Sequence, residues 1–378
     1  MRRIGLAACL LAAACDGAAN PVAPPAPRVP LLVPDGFSAH LYASGLELPT
    51  SIAFPPDGSN RLFVNELQSG RVRILENGAL RPEPFASVPT NAVGGFPVSG
   101  ENGLLGIAFD PQYASNGHVY ITYATRTGAG TFGTVARLTD VDNRGVDHTV
   151  LLDGIPAAPG HQVQSLAFGP DGKLYVSVGD AFTPDEAQKI DVLPGKVLRM
   201  NPDGSIPMDN PFPGSYTWAL GLRNSFDLAF DGTGALYAAD NGPGSRDELN
   251  RIVAGGNYAW PLALGATFAP EFVSPLVVWP EIVSPNGMAF YGGAQFPAGY
   301  RGKLFLVLFG DTFSRGPSAR AKRILIVDLS STPPALEDFA VYDFTGIGNP
   351  LDLAVGPDGS LFLSDIFQGH IFRIRYTG

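Results

Sequence analysis

One two-part pattern recurs six times along this chain, and it constrains the fold more than any other feature. Each copy places an apolar residue before a tight turn, usually of Pro-Asp-Gly type, and a short apolar strand follows. Pro fixes φ and Gly accepts the conformation of a tight turn, so each copy predicts a β-hairpin. The turns begin at Phe54, Phe109, Phe168, Phe230, Phe290 and Val355, and the second strands at Leu62, Val119, Leu174, Leu236, Leu304 and Leu361.

The copies follow one another about every 60 residues, a period that indicates a repeat architecture. Repeats of this length with several strands each are typical of a β-propeller rather than a packed sandwich. The sequence therefore predicts an all-β protein, a six-bladed β-propeller with four-stranded antiparallel blades. A ring must also close, so we expect residues 37–42 to pair with the C-terminal strand near 370–376. A hydrophobic content of 45% is ample for one large domain.

The first 34 residues are typical of an export signal and a tether. A basic Met1-Arg2-Arg3 precedes a short apolar run from Ile4 to Ala14, and small residues precede Cys15. We expect a signal peptide at 1–14, a Pro-rich lipoprotein-type tether at 15–34 and the propeller at 35–378. The protein would then be exported, as a periplasmic or cell-surface lipoprotein with lipid on Cys15 and no other membrane contact. An ordinary secretory signal cut near Ala19 is the alternative.

Charge and cysteine content narrow the class of protein further. The formal net charge is −10 and no basic run occurs, which argues against a nucleic-acid partner. Both cysteines, Cys9 and Cys15, lie in the signal region, so the folded domain has no disulfide. Strand pairing and packing must hold the ring together.

Polar residues stand seven positions before four of the six turn residues, with further polar neighbours beside them. Equivalent repeat positions lie on the same face of a propeller, so these groups should converge at one mouth of the central channel. An acid, a base and a guanidinium in a concave mouth are a candidate active site. The alternative is that each group only satisfies the backbone where a strand begins. The aligned positions hold Glu47, Asn102, His161, Arg223, Val283 and Gly348, with Glu101, Asn224 and Ser284 as neighbours. The residues expected to converge are Glu101, Asn102, His161, Arg223 and Asn224.

His161 and Asp180 stand at the two ends of the third hairpin. Both ends of a hairpin return to the same rim, so the carboxylate can reach the imidazole. Such a pair suits proton abstraction from a hydroxyl, because the acid sets the tautomer of the imidazole and steadies the imidazolium. A core histidine paired to an acid would give the same pattern.

Several short motifs of this sequence resemble the glucose/sorbosone dehydrogenase family, which includes soluble quinoprotein glucose dehydrogenase and the aldose sugar dehydrogenases. The resemblance runs from about Pro34 to the C-terminus. The motifs that carry it are Gly100-Glu101-Asn102-Gly103-Leu104-Leu105-Gly106, the stretch 161–180, 195–204, Gly221-Leu222-Arg223-Asn224, Asn241-Gly242-Pro243, Asp247-Glu248-Leu249-Asn250 and Asn257-Tyr258-Ala259-Trp260-Pro261.

The resemblance implies a six-bladed propeller that oxidises aldoses with pyrroloquinoline quinone (PQQ) and Ca²⁺, and passes the electrons to an external acceptor. His161 would be the general base, Asp180 would hold its imidazole, and Arg223 would polarise the quinone. Calcium would be held by the carbonyls of Gly242 and Pro243. The adjacent acids Asp247 and Glu248 suit a hard cation, and the resemblance implies a second, structural calcium. Its expected ligands are Glu248 and Tyr258.

The chain departs from the family pattern around the cofactor. Glu101 stands where a cofactor-contacting Gln is common, while Asn224 follows Arg223 as the resemblance requires. A Lys expected near 308–310 is missing, and an expected Arg-x-Arg pair reads Asn349-Pro350-Leu351. PQQ carries three carboxylates, so losing these cations weakens its binding. The cations that could substitute are Arg315, Arg320, Lys322 and Arg323.

Two other functions therefore stay open beside sugar oxidation. The propeller could have lost the quinone and serve as a carbohydrate- or protein-binding module. It could also be a calcium-dependent, lactonase-type hydrolase, because six-bladed propellers host that chemistry and fold alone does not choose between them.

Overall fold

The computed structural model describes residues 29–90, 101–267, 269–310, 322–343 and 348–378. Its strands form six antiparallel sheets, which follow one another along the chain. The inner strands of successive sheets pack side by side around a central channel. The predicted six-bladed β-propeller is confirmed.

Among the first three blades, blade 2 contains the longest strands. The third strand of blade 1 pairs with two very short strands, whereas blades 2 and 3 have four strands each. Blade 1 comprises Pro49–Ala53, Arg61–Glu66, Arg71–Glu76, Ala79–Leu80 and Ala86–Ser87. Blade 2 comprises Leu104–Phe109, His118–Thr127, Gly130–Val141 and Arg144–Ala157. Blade 3 comprises Val163–Phe168, Leu174–Val178, Lys196–Met200 and Thr217–Leu220.

The last three blades complete the ring and include strands from the N-terminal part of the described chain. Blade 4 comprises Ser225–Phe230, Leu236–Asp240, Asp247–Ile252 and Val277–Trp279. Blade 5 comprises Pro285–Phe290, Leu304–Leu308, Arg323–Asp328 and Ala335–Tyr342, with Leu31–Leu32 added at its edge. Blade 6 comprises Pro350–Val355, Leu361–Asp365, His370–Tyr376 and Phe37–Ala43.

The ring closes through the pairing that the sequence predicts. Phe37–Ala43 runs antiparallel to His370–Tyr376, with Phe37 opposite Tyr376 and Leu41 opposite Phe372. Blade 6 therefore takes its outer strand from one part of the chain and its other three from the other end. The edge strand Leu31–Leu32 lies inside the predicted tether, so ordered pairing begins before residue 35.

Helical structure is a minor part of the described chain. It consists of one α-helical turn, Tyr113–Asn116, and two 3₁₀ turns, Pro184–Gln188 and Ala298–Tyr300. In the portion that the structure describes, no helix is long and apolar enough to cross a membrane.

The apolar core fills the spaces between neighbouring blades. Alternate strand residues point toward the next sheet, and their side chains are almost fully buried, as at Phe63, Ile121 and Val176. Edge-to-face aromatic contacts add specificity to this packing, for example between Phe63 and Phe109, whose ring centroids are 5.0 Å apart. Burial on this scale is what a domain without disulfides requires.

Each of the six inner strands carries a register shift typical of a β-bulge, at the same place in every repeat. Residues of these bulges line a small cavity in the channel, among them Ser165, Asp227 and Asp352. The two acids also tie blades together. Asp227 accepts a hydrogen bond from the backbone N–H of Met288, and Asp352 accepts one from Ile52. The bulges thus set the floor beneath the wider mouth.

Candidate active site

The wider end of the channel forms a cavity of about 250 Å³, near the small end of the range for ligand sites, ~300–1,000 Å³. All six blades or the loops before them contribute to its lining. The sequence-predicted residues that it contains are Glu101, His161, Arg223, Asn224, Gly242, Asp247 and Ser284. The apolar lining residues are Leu67, Leu105, Phe226, Ile282, Phe309, Leu351 and Ile366.

His161 and Asp180 form a short polar contact at this mouth. The imidazole Nδ1 lies 2.6 Å from Oδ1 of Asp180, and both residues are buried. A carboxylate only accepts hydrogen bonds, so Nδ1 carries the proton and Nε2 keeps its lone pair. The predicted reach of the acid to the base is therefore present, and Nε2 is the ring nitrogen available to a ligand.

The backbone around His161 is strained in a way that positions its ring. His161 adopts a left-handed conformation, with φ at 56°. Gly179 lies against it so closely that a Cβ there would come within 2.5 Å of the carbonyl carbon of His161. Glycine is therefore needed at 179 for the approach of the two hairpin ends. Backbone strain of this kind is common at functional sites.

A comparison among blades shows that the pairing of Asp180 is unusual in this ring. In blades 1, 4 and 6, the acid that ends the second strand accepts a hydrogen bond from the backbone N–H where the inner strand begins. The pairs are Glu66 with Glu47, Asp240 with Arg223, and Asp365 with Asn349. In blade 3, the residue in the equivalent register is Val178, and Asp180, two residues beyond the end of the strand, binds the side chain of His161. Asp180 thus has no counterpart among the strand-capping acids of these three blades.

Glu101 supplies the backbone contact that Asp180 does not make. Its Oε2 accepts a hydrogen bond from the backbone N–H of His161 at 3.0 Å, and its carbonyl accepts one from the side chain of Gln162. Glu101 was expected to contact the cofactor. In this structure it also holds the backbone of the base, and its side chain remains part of the cavity wall.

Trp260 links the acid to the cation of the site. Its indole N–H donates to Oδ2 of Asp180 at 2.9 Å, and the guanidinium of Arg223 lies 5.6 Å from its ring. The carbonyl of Trp260 is held in turn by the side chain of Gln188 at 2.6 Å. In the sequence, Trp260 stands out only as part of a family motif, and the pattern assigns it no role. It comes from a loop outside the repeat, where blade alignment carries no signal.

Arg223 is fixed by backbone carbonyls. Its Nη1 donates to the carbonyls of Asn241 and Gly242, at 2.7 and 2.8 Å. Beneath it, Asp240 accepts hydrogen bonds from the backbone N–H groups of Arg223 and Asn224, and burial raises the pKa of this acid to about 6. The side chain of Asn224 accepts from Gln164. Arg223 and Asn224 thus stand together at the cavity, as their adjacent positions predict.

The loop expected to bind calcium is ordered by its own acids. Asp247 accepts backbone hydrogen bonds from Gly242, Val283 and Ser284, at 2.7–2.8 Å. Glu248 accepts from the backbone of Gly265 and from Asn250, and burial together with nearby Asp240 raises its pKa to about 7. Both acids therefore already have partners in the protein.

Oxygen ligands for a cation are nevertheless present at this mouth. The carbonyls of Asn241 and Gly242 converge on a positive group, and the buried amide oxygens of Asn241 and Asn286 have no hydrogen-bond partner. Carbonyl and amide oxygens suit a hard divalent ion. The hydroxyl of Tyr258 donates to the carbonyl of Arg251, so this residue could bind metal only through its main chain. Within the described ranges, no three His, Cys, Asp or Glu side chains cluster as a metal site.

The candidate substitutes for the missing cations differ in their placement. Lys322 is buried, donates to the carbonyl of Gly348 at 2.9 Å, and lies 5.9 Å from the ring of Phe309, a cavity residue. Arg323 instead pairs with Asp338 on the outer part of blade 5. Arg315 and Arg320 lie outside the described residues. Lys322 is therefore the described cation that comes nearest to replacing the expected Lys.

Comparisons with known proteins agree with this fold. A family model described as Glucose / Sorbosone dehydrogenase matches residues 46–373. The aldose sugar dehydrogenase YliI of Escherichia coli (strain K12) is 28% identical over 90% of this chain and 93% of its own. Quinoprotein glucose dehydrogenase B of Acinetobacter calcoaceticus is 33% identical, but over only 61% of this chain and 54% of its own length.

A solved structure gives the same result. The PQQ-bound form of aldose sugar dehydrogenase from Streptomyces coelicolor superposes with a TM-score of 0.74, at 28% identity, covering 91% of this chain and 99% of that one. These relatives are sugar dehydrogenases, and the match of the family model covers most of the chain. The chain belongs to the glucose/sorbosone dehydrogenase family.

Proposed function

We propose that this protein oxidises aldose sugars, or related sugar alcohols and aldehydes, in a reaction that depends on PQQ and calcium. The observation that carries the proposal is the contact of His161 Nδ1 with Asp180 at 2.6 Å, at the mouth of the channel. A histidine oriented in this way at a cavity presents Nε2 as a base. The family to which the chain belongs supplies the class of substrate.

The residues of the chain have distinct parts in the reaction. Nε2 of His161 removes the proton from the anomeric hydroxyl of the sugar, and Asp180 stabilises the imidazolium that forms. Trp260 and the N–H of Phe182 hold the acid in place, so the carboxylate does not rotate away from the ring. Glu101 holds the backbone of the base. The apolar wall of the cavity excludes water from the reacting centre.

The residues present are compatible with the implied cofactor and metal. Arg223 and Asn224 would hold the quinone, with Glu101 beside it and Arg315 as a further candidate. Gly242 and Pro243 would hold calcium, and Asp247 orders their loop. When bound, PQQ supplies the two-electron acceptor and calcium the Lewis acid that polarises it. A structural calcium at Glu248 and Tyr258 remains part of this proposal, and an external acceptor takes the electrons.

A second function is supported by the composition of the cavity. Leu351 lines it where the family pattern has an arginine, and Phe309 lies where a lysine is expected. Fewer cations favour a smaller or less acidic ligand than PQQ. A carbohydrate-binding propeller without the quinone is therefore the second candidate.

The proposal also includes export. The basic start, short apolar run and small residues before Cys15 support a lipid-anchored protein in the periplasm or at the cell surface. A sugar dehydrogenase there would meet its substrate outside the cytoplasm.

The test is reconstitution followed by mutation. Purified protein is titrated with PQQ and calcium, and dye reduction is followed over a panel of aldoses. His161→Ala should lose most of kcat while melting temperature and PQQ binding persist, and Asp180→Asn should lose less. His148→Ala is the matched control, because His148 is exposed on blade 2 away from the cavity. A folded, fully active His161→Ala would refute the mechanism, and PQQ that never binds would leave the second candidate.

A further inference from the structure

Two strained residues follow Asp180 directly. Ala181 and Phe182 both have left-handed backbones, with φ at 50° and 57°. This conformation is unfavourable for residues with a Cβ, and two in succession are uncommon outside glycine-rich turns. Neither residue is glycine, so the surrounding contacts must impose the strain.

Those contacts belong to the base and its acid. The backbone N–H of Ala181 donates to the carbonyl of His161 at 3.0 Å, and that of Phe182 donates to Oδ1 of Asp180 at 3.0 Å. The same carboxylate oxygen accepts from the imidazole. Thr183 closes the turn onto the carbonyl of Asp180. The position of the Phe182 ring is therefore coupled to the position of the base.

The ring itself gains little burial in return. Phe182 is 54% exposed, whereas most large apolar side chains of this propeller are buried. Its centroid nevertheless lies 4.3 Å from that of the His161 imidazole. Gly160 stands beneath it, where a Cβ would come within 3.3 Å of its Cζ. Packing alone does not account for a strained backbone that holds an aromatic ring in water beside a base.

We propose that Phe182 is an aromatic platform for the substrate, against which the C–H face of a pyranose ring stacks while its anomeric hydroxyl meets His161. Aromatic side chains recognise flat apolar faces at low conformational cost, and the polar groups opposite supply orientation. Pyranoses with mostly equatorial hydroxyls present such a face, and acyclic polyols do not. This inference rests on the proposed function only for the identity of the ligand as a sugar.

The experiment compares Phe182→Ala, Phe182→Tyr and wild type in the loaded enzyme. Phe182→Ala should raise KM for pyranoses about ten-fold, the scale of an aromatic contact, and this rise should exceed any change in kcat. Phe182→Tyr should restore KM, and an acyclic polyol should show no difference. Leu336→Ala is the control, because Leu336 is comparably exposed at 42% on blade 5. A fall in kcat with KM unchanged would mean that the ring only shields His161, and would overturn the proposal.

A binding measurement keeps this test independent of turnover. A 1-deoxy pyranose lacks the hydroxyl that is oxidised, and saturation transfer from aromatic protons to its ring hydrogens reports stacking. Wild type should show the transfer and Phe182→Ala should lose it. If wild type oxidises aldoses but Phe182→Ala binds and reacts equally well, the proposal for Phe182 is wrong and the proposed function stands. If wild type neither binds nor oxidises any pyranose, the proposed function fails with it.

Discussion

Lys196 offers a quantitative test of how the turn that supports Trp260 is held in place. The side chain is fully buried, and its Nζ donates to the carbonyls of Glu186, Ala187 and Pro194, at 2.9, 3.1 and 2.7 Å. Glu186 and Ala187 belong to the 3₁₀ turn Pro184–Gln188, whose Gln188 binds the carbonyl of Trp260. Lys196→Met keeps the apolar stem and removes the ammonium.

Two contributions determine how the stability of Lys196→Met differs from that of wild type. Each carbonyl left without its donor costs about 1 kcal/mol or more, so the loss is about 3 kcal/mol for the ammonium, which has three N–H groups, and about 2 kcal/mol for the neutral amine, which has two. Against this, burial lowers the pKa of Lys196 from 10.5 to about 7. Between those values the unfolded chain keeps a proton that the folded chain has released, so stability rises with pH. From pH 7 to pH 9.5 the gain is about 3 kcal/mol, and it is absent from the variant.

The expected result is a pH-dependent gap in unfolding free energy. Lys196→Met should lose stability relative to wild type as the pH rises, with the gap in unfolding free energy widening by about 3 kcal/mol between pH 7 and pH 9.5. Urea unfolding followed by tryptophan fluorescence measures the gap at both pH values. Lys189→Met is the control, because that lysine is half exposed on the same turn and should leave no such pH dependence. A gap that stays constant across this range would refute the reasoning.

Three further outcomes are expected. Gly179→Ala should lower the free energy of unfolding by about 1–3 kcal/mol, because its Cβ would clash with the backbone of His161. An unchanged urea midpoint would contradict the close approach. A calcium chelator should lower the melting temperature and added calcium should restore it, through the loop 241–250; no shift would rule that site out. Metabolic labelling with a fatty acid should mark wild type and not Cys15→Ala, and equal labelling of both would argue against the lipid anchor.

The ring was predictable because its determinants are local and repeated. Each Pro-Asp-Gly-type turn specifies a hairpin by itself, and six copies specify the number of blades. Closure followed from the alternating pattern at 37–42, which the structure pairs with the last strand. The extra edge strand Leu31–Leu32 was not foreseen, since two residues carry no pattern.

The candidate site was predictable only where it follows the repeat. Blade alignment placed His161, Arg223 and Asn224 at one mouth, and hairpin geometry brought Asp180 to the base. The roles of Trp260 and Phe182 were missed, because both belong to loops that have no counterpart in other blades. Side-chain direction in such loops depends on tertiary contacts, as the bond from Trp260 to Asp180 shows.

The composite sixth blade joins strands that lie far apart in the sequence. Thr377 donates to the carbonyl of Gly36, 341 residues away, and Ser364 reaches the carbonyl of Thr50 across 314 residues. Contacts of such separation form late, because nearly the whole chain must be ordered before they can be made. A chain without residues 37–43 would leave the last strand of the sixth blade with an unpaired edge, which is a target for proteases and aggregation. The pairing of these two strands therefore protects the edge of the ring.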